Sequence, residues 1–160
     1  QLAELLRGTD ILVIADEVYE HMVFDGELHQ SVARIPELAQ RSFVVSSFGK
    51  TYHVTGWKVG YVAAPAALMA EFRKVHQFNV FTVNTPMQHG LAHFMSDPSH
   101  HLGLPAFYQR KRDLFRAGLA SAAIPLSAFY QDGFEQRIAR FCFAKKDVTL
   151  NLALERLARL

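Results

Sequence analysis

Short runs of consecutive apolar residues alternate along this chain with longer segments in which apolar residues recur every three or four positions. The consecutive runs have the length of buried strands and lie at residues 11–15, 43–45 and 59–64, and a fourth strand is predicted at 138–144. Helical spacing or a start signal predicts helices at residues 2–7 and 35–40. Further helices are predicted to start at Pro65, Pro86, Pro105 and Asp147, and Asp147 is expected to cap the last of them. Strands that alternate with helices predict an α/β fold with a parallel sheet.

A loop that carries two lysines, Lys50 and Lys58, connects the second and third predicted strands. Loops at strand ends are where α/β folds usually carry their chemistry. A partly buried lysine beside another cation can act as a nucleophilic amine, and the second lysine can supply that charge or bind an anionic phosphate. Because most single lysines are solvated surface residues, the loop on its own leaves the surface interpretation open.

A carboxylate and a phenol follow the first predicted strand. Asp16 comes directly after residues 11–15, and Tyr19 lies three residues further along. In a parallel sheet both would lie at the same edge as the lysine loop. Such an aspartate can pair with a protonated ring nitrogen, and the tyrosine hydroxyl can donate to a ring oxygen. The alternatives are a helix cap for Asp16 and a half-buried core position for Tyr19.

The composition excludes several classes of protein. Half of the 160 residues are hydrophobic, enough for one domain core, and the net charge of +2 is scattered, without a nucleic-acid-binding stripe. The basic run at 109–112 is expected to be a solvated helix face. The single cysteine, Cys142, fits a reducing compartment, and neither a membrane-spanning run nor a secretory-signal pattern is present, so a cytoplasmic location is expected. His89 and His93 have a metal-compatible spacing, but no cysteine or HExxH-type glutamate accompanies them, and no metal site is predicted.

Three segments resemble the pyridoxal-phosphate (PLP) site of the class I and II aminotransferases of fold type I. They are ADEVYEHMVFDG, SSFGKTYHVTGWKVGY and RFCFAKK, in that order. The wording is closest to the branch of methionine aminotransferases and kynurenine/glutamine transaminases, and the resemblance runs through essentially the whole chain. It implies that residues 1–100 are the C-terminal part of a PLP-binding large domain, with a mainly parallel sheet flanked by helices. Residues 101–160 would be a linker helix and an incomplete small domain.

The resemblance also implies a role for each residue of the cofactor site. Lys50 would form the aldimine with PLP and then move the substrate's α-proton. Asp16 would keep the pyridine nitrogen protonated, and Tyr19 would donate to the phenolate oxygen of the ring. Ser47 and Lys58 would bind the phosphate, with lysine at a position where the family often has arginine.

Two further residues would contact the substrate. Arg140 matches the arginine that binds the α-carboxylate, and its planar fork suits a bidentate pair, whereas the competing Arg137 is assigned to the surface. Phe81 resembles an aromatic that reaches a substrate pocket at a dimer interface, with core packing as the alternative. The resemblance therefore implies a homodimer.

Parts of the family fold are expected to have no counterpart in this chain. The first half, which supplies a phosphate cradle, an aromatic that stacks on the ring and an asparagine near the ring oxygen, is expected to be absent. A second gap is expected near Ala120 and Ser121, where the family has several strands and a helix of the small domain. We expect the remaining sheet to expose edges and an apolar face.

The motifs favour an aminotransferase that moves an amino group between an amino acid of the methionine or aromatic type and a 2-oxo acid. Two alternatives remain open at this point. One is a non-catalytic fragment that retains Lys50 but lacks the phosphate cradle. The other is a PLP-dependent cysteine-S-conjugate β-lyase that uses the same lysine, aspartate and tyrosine.

Overall fold

The computed structural model describes residues 1–122 and 141–159. The chain divides into two compact units, a first unit of Gln1–Leu104 and a second unit of Pro105–Leu160. The first unit contains a three-stranded sheet and several short helices, and the described part of the second unit is helical. Among the described residues, no helix combines the length and the apolar character needed to cross a membrane.

The sheet of the first unit has the strand order β1-β2-β3. Its strands are β1 (Val13–Asp16), β2 (Ser42–Ser47) and β3 (Gly60–Ala63), each within two residues of a predicted strand. β1 and β2 are parallel, as predicted, but β3 is antiparallel to β2, so the described sheet is mixed. Parallel strands need a long crossover, usually through a helix, and the link from β2 to β3 contains only two single helical turns. The chain therefore turns back beside β2.

Six α-helices belong to the first unit among the described residues, together with two short 3₁₀ helices at Val32–Arg34 and Thr55–Trp57. The α-helices are α1 (Leu2–Leu6), α2 (Pro36–Ala39), α3 (Phe48–Thr51), α4 (Ala66–Asn79), α5 (Thr85–Phe94) and α6 (Ser99–Leu102). The start signals were informative, since Pro65 directly precedes α4 and the side chain of Asn84 caps α5 by accepting from the Met87 amide at 3.2 Å. Gly8 follows α1 with a φ of +75°, a backbone conformation that glycine adopts without strain.

The sheet is buried unevenly. Leu38 of α2 is 3% exposed, and its carbonyl accepts a hydrogen bond from the fully buried Ser42 at the start of β2. By contrast, Ile14 of β1 is 77% exposed, and β1 pairs only with β2 among the described residues. Exposed apolar side chains on an edge strand agree with the expectation of an uncovered apolar face.

The second unit contains two described helices, α7 (Leu104–Ala122) and α8 (Asp147–Leu157). Leu150 of α8 is 2% exposed, and Phe115 of α7 packs edge-on against Phe141 with the ring centroids 5.5 Å apart. The strand predicted at 138–144 is wrong for its described part, because residues 141–144 form no regular secondary structure. Residues 138–140 lie outside the described part of the chain.

Two sequence predictions for the second unit need correction. Lys111, which was expected to face water, is only 6% exposed, and its ammonium group donates to Asp147 Oδ1 at 2.5 Å and to the Lys145 carbonyl at 2.9 Å. Asp147 was expected to cap α8, but it is the first residue of that helix and also pairs with Arg110 at 3.1 Å. The carboxylate at the helix start is thus used to neutralise a buried lysine.

The Asp147 pairing predicts a pH dependence for the second unit. The hydrogen bond from Lys111, and then that from Arg110, lowers the pKa of Asp147 below its ordinary 3.8. A depressed folded-state pKa contributes stability that is complete above pH 3.8 and is lost as the pH falls through the folded-state value. The measurement is the urea concentration at the unfolding midpoint as a function of pH. Below pH 3.8 we expect this midpoint to fall less steeply in Asp147→Asn than in the parent. Glu155→Gln, at an exposed position of the same helix, should keep the parental slope. Equal slopes for both variants would contradict the prediction.

Candidate functional site

The ends of β1 and β2 bring two of the predicted site residues to one edge of the sheet. Asp16 is the last residue of β1 and lies opposite Val45 in the parallel ladder. Two residues after Val45, β2 ends at Ser47, and Lys50 follows within the next turn. The carboxyl ends of two parallel neighbours therefore place a carboxylate and a hydroxyl at one edge of the sheet, and an amine follows the hydroxyl three residues later.

Lys50 lies on a single helical turn, α3, where the sequence predicted a loop. The turn is tightly closed, because the Gly49 carbonyl accepts from the Val54 amide at 3.0 Å and from the Thr55 hydroxyl at 3.1 Å. A Cβ atom at Gly49 would approach Thr55 Cα to 2.8 Å, so this position requires glycine. The buried Gly49 and Thr51 flank Lys50, whose side chain is exposed.

Lys58 and Ser47, the two predicted phosphate ligands, line one pocket of about 510 Å³. Lys58 has a left-handed backbone with a φ of 56°, which is uncommon for a residue with a side chain. It comes two residues before Gly60, which lies opposite Ser47 in the antiparallel β2–β3 ladder. An ammonium group and a hydroxyl around one concavity are suited to an anion.

Asp16 ends β1, and Tyr19 belongs to the run of tight turns that follows the strand rather than to a helix. The Oδ1 atom of Asp16 accepts from the Val18 amide at 3.2 Å, and the next turns are closed by hydrogen bonds from Glu20 N to the Glu17 carbonyl and from Met22 N to the Tyr19 carbonyl. Tyr19 is 55% exposed. These observations argue against the alternatives of a helix cap for Asp16 and a core position for Tyr19.

A buried carboxylate that the sequence did not single out lies between Asp16 and Tyr19. Glu17 is 8% exposed and accepts from His29 Nε2 at 2.7 Å, from the Val32 amide at 3.0 Å and from Ser31 Oγ at 3.1 Å. Burial opposes ionisation, but these hydrogen bonds outweigh it and hold the pKa of Glu17 below its ordinary 4.5. The three donors lie 12 to 15 residues away along the chain, and no local spacing rule signals such a contact.

A second carboxylate, that of Glu20, connects the turns that follow β1 to the two other strands of the sheet. Glu20 Oε1 accepts from the Tyr61 hydroxyl of β3 at 2.7 Å and from the Ser46 hydroxyl of β2 at 3.2 Å. Burial, and then the hydrogen bond to Glu20, raises the pKa of Tyr61 to about 12, so this phenol remains a donor at every physiological pH. The turns that carry Tyr19 are thus attached to both neighbouring strands.

Histidine and tyrosine side chains pack against one another next to α3, the turn that carries Lys50. The Tyr52 hydroxyl and His101 Nδ1 are 3.2 Å apart, and the His21 and His101 rings lie with their centroids 4.7 Å apart. Burial lowers the pKa of His21, and the adjacent Glu20 carboxylate offsets the shift only in part. No group of three or more possible metal ligands occurs among the described residues.

The remaining predicted site residues are not brought into this cluster. Phe81 follows α4 with a φ of +67° and is 75% exposed, so within the described residues it does not pack in a core. Arg140 and Arg137 lie outside the described part of the chain, and their predicted roles stay predictions.

Comparison with known proteins agrees with the resemblance seen in the motifs. The family profile for aminotransferase class I and II matches residues 1–153. The chain is 43% identical over 199 residues to a methionine aminotransferase of Escherichia coli, covering 99% of this chain and 52% of the relative. It is 37% identical over 131 residues to the human kynurenine–oxoglutarate transaminase 1, covering 77% of this chain and 31% of that protein.

Solved structures agree as well. An Escherichia coli crystal structure for which a methionine aminotransferase function was identified superposes with a TM-score of 0.88 at 42% identity, covering 99% of this chain and 53% of that chain. An N-succinyldiaminopimelate aminotransferase from Mycobacterium tuberculosis superposes with a TM-score of 0.84 at 28% identity, covering 99% of this chain and 52% of that chain. The chain thus spans about half the length of the Escherichia coli methionine aminotransferase and about a third of the human transaminase.

The alignment with the Escherichia coli methionine aminotransferase also has a bearing on the predicted gap. It extends over 199 positions, 39 more than the 160 residues of this chain. At least that many positions of the relative therefore have no counterpart here. The alignment therefore contains gaps on the side of this chain, and their placement near Ala120 and Ser121 stays a prediction.

Proposed function

This chain belongs to the aminotransferase class I and II family, and on that basis we propose that it carries the lysine-bearing part of a PLP-dependent aminotransferase. The reaction would move an amino group between an amino acid and a 2-oxo acid. The observation that supports the proposal best is the placement of Asp16, Ser47 and Lys50 at the carboxyl ends of the parallel pair β1–β2. The pocket shared by Ser47 and Lys58 adds an anion-binding surface next to them.

The side chains at this edge fit the functional groups of PLP. The aldehyde of PLP requires an amine, and its ring nitrogen requires a carboxylate. The ring oxygen is suited to a phenol donor, and the phosphate to a hydroxyl together with an ammonium group. Gly49 and Gly60 keep the backbone of the lysine turn close to its neighbours, since a Cβ atom at either would lie under 3 Å from another backbone atom. When bound, PLP supplies an electron sink for the substrate carbanion.

Each of these residues has a proposed role in the reaction. Lys50 attaches the cofactor through its amine and, once released by the substrate, carries the substrate's α-proton. Asp16 holds a proton on the ring nitrogen, and Tyr19 donates its hydroxyl to the ring oxygen. Ser47 and Lys58 bind the phosphate, and because lysine is a point charge rather than a fork, neighbouring donors must share that work.

The substrate and the assembly are proposed from the relatives. The methionine aminotransferase and kynurenine transaminase names favour a methionine-type or aromatic amino acid. Arg140 would bind its α-carboxylate, and the exposed Phe81 would reach a substrate pocket across the interface of a homodimer. A cytoplasmic location goes with this assignment. The relatives reported above carry transaminase names, and the β-lyase alternative gains no support from them.

The proposal is tested by mapping where PLP attaches to the purified 160-residue chain. After incubation with PLP and reduction with borohydride, peptide mass analysis should place the adduct on Lys50, together with a visible absorbance band before reduction. Lys74, an exposed lysine paired with Glu71 on α4, serves as the internal control for random modification. Equal labelling of Lys50 and Lys74 would mean that this chain assembles no specific PLP site, which is the outcome expected of a non-catalytic fragment.

A further inference from the structure

Glu17 lies between two proposed cofactor ligands but on the other face of the chain. Side chains alternate across a strand, and at the end of β1 Asp16 is exposed while Glu17 is 8% exposed. The Glu17 amide extends the ladder beyond Asp16 by donating to the Val45 carbonyl at 2.8 Å. Its carbonyl accepts from the Glu20 amide at 3.0 Å and so closes the turn that contains Tyr19. The main chain of one residue thus links both ligands.

The side chain of Glu17 holds the backbone between Asp16 and Tyr19 in place through its hydrogen bonds. One carboxylate oxygen accepts from Ser31 and from the Val32 amide, and the other lies 2.7 Å from His29 Nε2. Hydrogen bonds to an ionised acceptor are roughly twice as strong as neutral ones. Three such bonds in a buried position restrain the carboxylate, and through it the backbone at the end of β1, more firmly than packing alone.

We propose that Glu17 is a positioning residue, which sets Asp16 and Tyr19 for the cofactor ring without touching the ring itself. The inference rests on the proposed function. Asp16 has a side-chain hydrogen bond only to the Val18 amide within the described residues, and Tyr19 is largely exposed. Their positions are therefore decided by the backbone of the turn, and a misplacement of about 1 Å is enough to impair a site that depends on geometry.

The test compares Glu17→Gln with the matched control Glu37→Gln. Both variants remove one carboxylate charge from the first unit, but among the residues that the structure describes the Glu37 side chain forms only an exposed ion pair with Arg7 at 3.4 Å. PLP affinity is followed by quenching of Trp57, the single tryptophan, which lies directly before Lys58. We expect Glu17→Gln to raise the Kd for PLP about tenfold, because the charge-assisted bonds are weakened, and Glu37→Gln to leave it within about twofold.

A mutant cycle separates positioning from a general structural role. If Glu17 acts through Asp16 and Tyr19, then Glu17→Gln should change the Kd less than about twofold in a background that already carries Asp16→Asn and Tyr19→Phe. A general loss of structure would weaken PLP binding equally in both backgrounds, and that result would overturn the proposal.

Amide hydrogen exchange of the PLP-free chain provides a readout that does not depend on the cofactor. In Glu17→Gln the amides of Glu20 and Met22 should exchange roughly tenfold faster, while those of α4 keep their parental rates. Unchanged exchange at the turn would overturn the proposal. If the parent chain fails to bind PLP, the proposed function fails for this chain, and these exchange rates alone decide whether Glu17 holds the turn.

Discussion

Replacing Lys50 with alanine is expected to abolish covalent attachment of PLP and to reduce any transamination by roughly 10³-fold or more. The reason is that, in the proposed function, one amine both attaches the cofactor and carries the substrate proton, so its loss would remove two steps at once. Folding should be unaffected, because the Lys50 side chain is exposed and the turn that carries it is closed by bonds to the Gly49 carbonyl. The measurement is borohydride trapping followed by mass analysis, alongside amino-acid half-reactions monitored by the cofactor spectrum.

Two lysine variants serve as controls for this result. Lys58→Ala should retain covalent attachment at Lys50 but weaken PLP binding about tenfold, because it removes a proposed phosphate ligand from the pocket that it shares with Ser47. Lys74→Ala should leave both properties unchanged, since it removes an exposed ion pair. Attachment that persists in Lys50→Ala at the parental level would contradict the assignment of this lysine.

Local patterns in the sequence predicted the parts of the site that depend on local structure. Apolar runs located β1 and β2, and the parallel pairing of these strands places Asp16 and Ser47 at one edge. The helix that starts after Pro65 also follows from local rules. These features needed only the side-chain period of a strand and the φ preference of proline, and both act within a few residues.

Features that depend on distant contacts were not predictable in this way. An apolar run is the same in either direction, so the run at residues 59–64 did not indicate that β3 pairs antiparallel with β2. Glu17 is buried because donors 12 to 15 residues away converge on it, and Lys111 because Asp147, 36 residues further on, neutralises it. The motif indicated Asp16 and Tyr19 as site residues, whereas Glu17, which lies between them, forms most of the hydrogen bonds.

Gly60→Ala is expected to lower the free energy of unfolding by roughly 2–3 kcal/mol and to weaken PLP binding at the same time. A Cβ atom at this position would approach the Ser46 carbonyl oxygen to 2.6 Å and Ser47 Cβ to 3.3 Å. The first contact is with backbone in the β2–β3 ladder and cannot be relieved by a rotamer change, so the strands must separate. Since Ser47 is the ladder partner of Gly60 and Lys58 comes two residues before Gly60, the strain would reach both proposed phosphate ligands.

Gly56→Ala is the matched control, because it adds the same methyl group within the same connection. A Cβ atom at Gly56 meets nothing within 4 Å, and its φ is not positive, so the variant should remain within about 0.5 kcal/mol of the parent. Urea unfolding followed by Trp57 fluorescence measures both variants, and a PLP titration follows on the folded proteins. If Gly60→Ala proves as stable as Gly56→Ala, the β2–β3 ladder is loose enough to absorb a methyl group. Loss of PLP binding without loss of stability would instead place the strain at Ser47 and Lys58 alone.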